Sequence, residues 1–161
     1  MKLTKFCYVL FVLSFVFNIY TTLAQEKEEK MKALDFMIGD WLGLSTRIDK
    51  GRVISSEPAF QKITYKVDKH IISIDLHSES LQLHTVIYYD EESQTYYYNP
   101  FYKNGSAKYK ASYDDGKFVV KASDKKRFIF KLTAEGQLQE YGEIFQNGKW
   151  VRYFEDNFKS Y

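Results

Sequence analysis

The chain reads as an all-β protein, a ten-stranded antiparallel up-and-down barrel, and three observations carry that reading. Apolar residues alternate at a period of two over ten segments. Short turns rich in glycine and asparagine join several of them. No long crossover and no second helix interrupts the series, so neighbours pair in chain order and closure of the sheet removes its exposed edges. A sandwich of two sheets is the other way to bury the same faces.

At the N-terminus Lys2 and Lys5 precede an apolar run from Phe6 to Phe17, and Thr22 and Ala24 have the spacing of a cleavage site. The run is shorter than the roughly 20 residues that span a bilayer. Residues 1–24 therefore read as a signal peptide. Its removal leaves 25–161 as a single barrel domain, exported to the periplasm or the outside of the cell with no stable membrane anchor. Cys7, the single cysteine, leaves with it, so the exported chain relies on packing rather than a disulfide. Loss of Lys2 and Lys5 also brings the 23 basic residues to parity with the 21 acidic ones. A neutral chain lacks the basic stripe that nucleic acid requires, so no such partner is expected. Nothing in the pattern sets an oligomeric state.

Gln25 to Lys32 is charged and reads as a solvated lead. Leu34, Met37 and Ile38 then recur at helical spacing until Gly39 stops the segment, which makes a short helix plugging one barrel end. Trp41 enters the first strand pointing inward, and Gly43 permits close approach of a neighbour. The strands follow as Leu44–Ile48, Phe60–Val67, Ile71–Leu76, Leu81–Tyr89, Tyr96–Phe101, Ala107–Tyr113, Lys117–Ala122, Arg127–Leu132, Leu138–Gln146 and Lys149–Phe158.

Lys50-Gly51, Asn104-Gly105, Asp115-Gly116 and Asn147-Gly148 carry residues that accept positive φ in hairpins. As two-residue loops they set register. Asn147-Gly148 places Phe145 opposite Trp150, Glu143 opposite Arg152 and Tyr141 opposite Phe154, an aromatic face expected to point inward. Asn104-Gly105 places Pro100 opposite Tyr109, Tyr98 opposite Ala111 and Tyr96 opposite Tyr113. Phe118 and Val120 continue that side, with Lys117 and Lys121 outside.

The segment FMIGDWLG, with its G-x-W at the entry to the first strand, resembles the calycins, which include lipocalins and fatty-acid-binding proteins. Together with VIYYDEESQTYYYNPF and EYGEIFQNGKWVRYFED it resembles a family of secreted bacterial barrel domains of unknown function. The resemblance implies a lipocalin-like barrel. Arg152 would then stack on Trp41 while pairing with Glu143, or anchor a ligand carboxylate as internal arginines do in fatty-acid-binding barrels. A further similarity, to nitrobindin-type barrels, implies haem held by a histidine in the C-terminal part of the chain. No histidine follows His84, so no cofactor is expected.

Metal chemistry is weakly coded. His70 and His77 fall on opposite faces of a shared strand, although a turn at Glu79-Ser80 would group Asp75, His77 and His84; no metal site is expected. There is no phosphate loop and no G-x-S-x-G elbow. Glu140 and Glu143 lie three apart and face opposite sides, so no acid and base work between them is expected. The expected function is non-catalytic: a tyrosine-rich lumen holding a small amphiphilic or hydrophobic ligand, its contacts drawn from Trp41, Tyr98, Tyr109, Tyr141, Glu143 and Arg152. The alternatives are a lumenal enzyme with Glu143 as base beside Arg152, or a purely structural or interaction domain.

Overall fold

The computed structural model describes residues 26–161, so the signal peptide expected over 1–24 lies outside the described residues. Its strands are β1 (Gly39–Asp49), β2 (Arg52–Lys66), β3 (Ile71–Ser78), β4 (Gln82–Asp90), β5 (Thr95–Tyr102), β6 (Gly105–Ser106), β7 (Tyr109–Asp114), β8 (Lys117–Ser123), β9 (Lys126–Leu132), β10 (Leu138–Gln146) and β11 (Lys149–Ser160). Apart from β6 and β7, neighbours in chain order pair antiparallel, β4 with β5 among them, and β1 pairs with β11, so the sheet closes. β6 and β7 both pair with β5 and are two pieces of one interrupted strand. The barrel thus has ten staves.

Three hairpins follow the expected turn chemistry. Lys50-Gly51, Asp115-Gly116 and Asn147-Gly148 all hold positive φ, between 47° and 77°, which matches the right-handed twist of the strands they join. The fourth differs: Tyr102 faces Gly105, so the loop is Lys103-Asn104 and the partners become Tyr98 with Tyr109 and Tyr96 with Ala111. Moving the centre of a turn by one residue shifts every partner by two, and a shift of two leaves each side chain on its face. Tyr96, Tyr98, Ala111, Phe118 and Val120 are accordingly buried, as the alternation predicts.

β2 is longer than expected, because Arg52–Ala59 pairs with β1 beyond the apolar pattern. The N-terminal plug also differs in position. The helix occupies 26–32, within the stretch read as solvated, and a 3-10 turn follows at Asp35–Met37. Met31, Leu34 and Met37, three apart, are all but fully buried in the barrel end while the charged residues between them face water. Carbonyls of the plug are tied to the wall: Tyr65 Oη donates to Met31 O at 2.9 Å, Tyr96 Oη to Lys30 O at 2.7 Å and Trp41 Nε1 to Met37 O at 2.8 Å. Phe118, Phe130 and Phe158 complete the closed end, each contributing roughly 1.5–3 kcal/mol by burial.

Candidate functional site

At the opposite end, where the hairpins after β1, β3 and β5 rise, the barrel holds a cavity of about 460 Å³. It opens to solvent there, since Ile54, Leu81 and Tyr102 on its wall are exposed. Deeper, Leu76, Leu83, Phe128 and Phe154 make an apolar wall, and Tyr98, Glu140 and Asp156 lie on the cavity lining below them.

Glu140 and Asp156 are direct cross-strand partners on β10 and β11. A β-bulge brings them together. Gly142 pairs with Phe154 and Glu143 with Arg152, so Tyr153 is an extra residue on β11. Without it Glu140 would face Glu155. Gly142 permits the bulge, because a Cβ there would lie 2.3 Å from the Phe154 ring and 2.7 Å from that of Tyr153.

The pair is almost completely buried, Glu140 at 8% and Asp156 at 4% exposure. Burial, and then the charge of Asp156, push the Glu140 carboxyl well above the usual carboxylate range, against a hydrogen bond from Gln61 that favours ionisation. Burial also raises Asp156, to about 6, although the Ser45 hydroxyl and the Thr46 N–H partly offset it. Ionising both of two buried carboxyl groups side by side is disfavoured, so the pair keeps a proton to higher pH than free carboxyls do. Around them the phenols of Tyr98, Tyr102 and Tyr153 are held protonated, first by desolvation and with the charge of Glu140 adding to it.

The expected site residues divide. Tyr98 is on the cavity wall. Tyr109 packs on Phe128 with ring centroids 6.2 Å apart, off that wall. Trp41 is buried at the plugged end, bonded to Met37 O, and does not carry Arg152. Tyr141, Glu143 and Arg152 require a correction: register does place Glu143 opposite Arg152, but this face of β10 and β11 points outward. Glu143 pairs there with Arg127 at 2.7 Å, and Arg152 pairs with Glu155 and lies 3.9 Å over the Tyr141 ring. Likewise Arg127 covers Trp150 at 4.2 Å, so Tyr141, Phe145 and Trp150, read as core, form an outer stripe shielded by cations, while Phe154, expected opposite Tyr141, faces Gly142 at the bulge and lines the lumen. An enzyme based on Glu143 and Arg152 would have its residues outside the lumen. Glu140, Asp156, Tyr102 and Tyr153 were not anticipated. The one signal for them was Gly142, an isolated glycine inside a strand, which marks bulges.

The β3–β4 turn is the Glu79-Ser80 form, so His84 faces Asp75, with Nδ1 2.6 Å from its carboxylate on the outer wall. His77 faces Gln82, and among the described residues no three metal-binding side chains converge. A histidine-held haem does not fit this lumen, whose wall offers no imidazole or thiol and whose deep polar groups include two carboxyls.

The chain matches no known family model and no curated protein. Its fold is similar to that of Rv2717c from M. tuberculosis, at 7% identity and a TM-score of 0.54, over 82% of this chain and 97% of that one. A protein of unknown function from the DUF3598 family of Nostoc punctiforme aligns at 6% identity over 82% of this chain and 99% of that one, with a TM-score of only 0.30. The first of these likenesses shows the barrel architecture.

Proposed function

We propose that the chain is an exported, non-catalytic, lipocalin-like carrier that takes up one small amphiphilic molecule through the hairpin end of its barrel. The observation that carries this reading is the cavity itself: about 460 Å³, blind at the plugged end, apolar along its wall and polar at depth. Ligand sites combine such walls with a few placed polar groups. A purely structural barrel has no use for two carboxyl groups buried without a cation, since each costs stability that an apolar side chain would not.

Titration with the neutral fluorophore N-phenyl-1-naphthylamine tests the reading. One saturable site per barrel is expected, lost in Leu83→Trp, which fills the cavity, while circular dichroism shows the barrel intact. Dye uptake undiminished by a folded Leu83→Trp would overturn it. Export is checked separately by N-terminal sequencing of envelope protein, where Gln25 is the expected first residue and a retained Met1 the contrary outcome.

A further inference from the structure

We propose that the floor of the lumen is a receptor for the ammonium group of a small apolar amine, with Asp156 and Glu140 as its anionic partner. This rests on the lumen being a ligand site and adds the chemical class of the ligand.

The floor is rich in acceptors and short of positive charge. Asp156 and Glu140 face one another across β10 and β11, and among the described residues neither forms an ion pair with a lysine, arginine or histidine. Asp156 Oδ1, on a side chain 4% exposed and lining the cavity, has no hydrogen-bond partner. Behind the lining, Gln61, 1% exposed, turns its amide toward Glu140 and leaves its Oε1 without a partner as well. Unsatisfied buried acceptors are uncommon and costly. Their natural complement is a group that brings several donors and a positive charge.

An ammonium ion has three donors, and it converts a stranded carboxylate into a compensated pair. A carboxylate head would meet like charge, and an alcohol would bring one donor and no charge. Above the floor, Leu76, Leu83, Phe128 and Phe154 suit a hydrocarbon tail. The two cations at the rim are already engaged: Arg47 bonds Ser80 at 3.2 Å and acts on Glu57, while Lys126 lies 5.1 Å over the Tyr153 ring.

Isothermal titration at pH 7 with octylamine, octanol and octanoate, which share one tail length, tests this. Octylamine should bind at least tenfold more tightly than octanol, and octanoate more weakly than either. In the Glu140→Gln/Asp156→Asn double variant the advantage of the amine should vanish while octanol still binds. In the wild type, acidification to pH 4.5 should shrink the same advantage, a readout that does not depend on the variant folding. Octanoate binding as tightly as octylamine, or an amine advantage that survives both changes, would overturn the inference. Equal binding of all three removes the selectivity of the floor but leaves the carrier reading, whereas uptake of none removes both.

Discussion

Arg152 sits on the outer wall of the barrel, paired with Glu155 and laid over Tyr141, with about a third of its side chain in water. Pairs of that kind contribute about 0.2–1 kcal/mol, and a partly exposed cation over an aromatic face adds a similar amount. Arg152→Ala should therefore cost about 1 kcal/mol in urea unfolding and leave dye uptake unchanged. A loss of about 3–5 kcal/mol, the signature of a stranded buried charge, would place Arg152 inside after all. Trp41 is the opposite case. Its indole N–H satisfies the Met37 carbonyl at the plugged end, and Trp41→Phe keeps much of the ring while stranding that acceptor. A cost of about 1–3 kcal/mol is expected from the lost bond, measured by the shift in urea midpoint at constant m.

The contact that closes the barrel is the pairing of β1 with β11, and at Gly43 it leaves no room for a side chain. A Cβ on Gly43 would stand 1.9 Å from Asn157 O and 2.8 Å from Phe158 Cα, both backbone atoms that no rotamer change can move away. Gly43→Ala must separate the two strands locally. We expect one of the large losses, about 4 kcal/mol or more, or failure to accumulate as folded protein. Gly142→Ala meets mainly the Phe154 and Tyr153 rings, and side chains give way more readily than backbone. Its smaller loss should come with altered dye binding, because Phe154 and Tyr153 line the cavity. Thermal melts of the two variants side by side check the order; a harmless Gly43→Ala would mean that β1 and β11 are not in contact as described.

For the whole molecule, the buried acid pair makes stability depend on pH in an unusual direction. Most shifted carboxyls here, among them Glu57, Asp90 and Asp124, are lowered by hydrogen bonds and favour folding once ionised. Glu140 and Asp156 are raised, so between the unfolded values near pH 4 and the folded values the native chain binds more protons than the unfolded one. Stability from this pair is full below about pH 4 and falls as pH rises to about 6 and beyond. Glu140→Gln/Asp156→Asn removes the dependence. The double variant should match the wild type near pH 4 and exceed it at pH 7.5 by on the order of 3 kcal/mol, read as the difference between their urea curves so that the other carboxyls cancel. A variant less stable than the wild type at pH 7.5 would mean that the pair is ionised at no cost in the folded barrel.

The number of staves, the approximate bounds of those after β2 and three of the four hairpin turns were legible in the chain because they are local. Alternation at a period of two needs only a window of residues, and Asp115-Gly116 or Asn147-Gly148 states its own turn geometry. Even the misplaced turn at Asn104-Gly105 left the faces of β5 to β8 correct, since a slip of two preserves parity. The alternation of β10 and β11 says that their two sides differ and not which side is inside. Tyr141, Phe145 and Trp150 resemble core in the sequence, yet tertiary structure puts Arg127 and Arg152 over Trp150 and Tyr141 and water beyond them. The acid pair was hidden for the same reason: Glu140 and Asp156 are 16 positions apart and meet only because one bulged residue on β11 shifts the ladder. Local turn chemistry set the strands; closure of β1 on β11 and the bulge at Gly142 decided which side chains share the lumen.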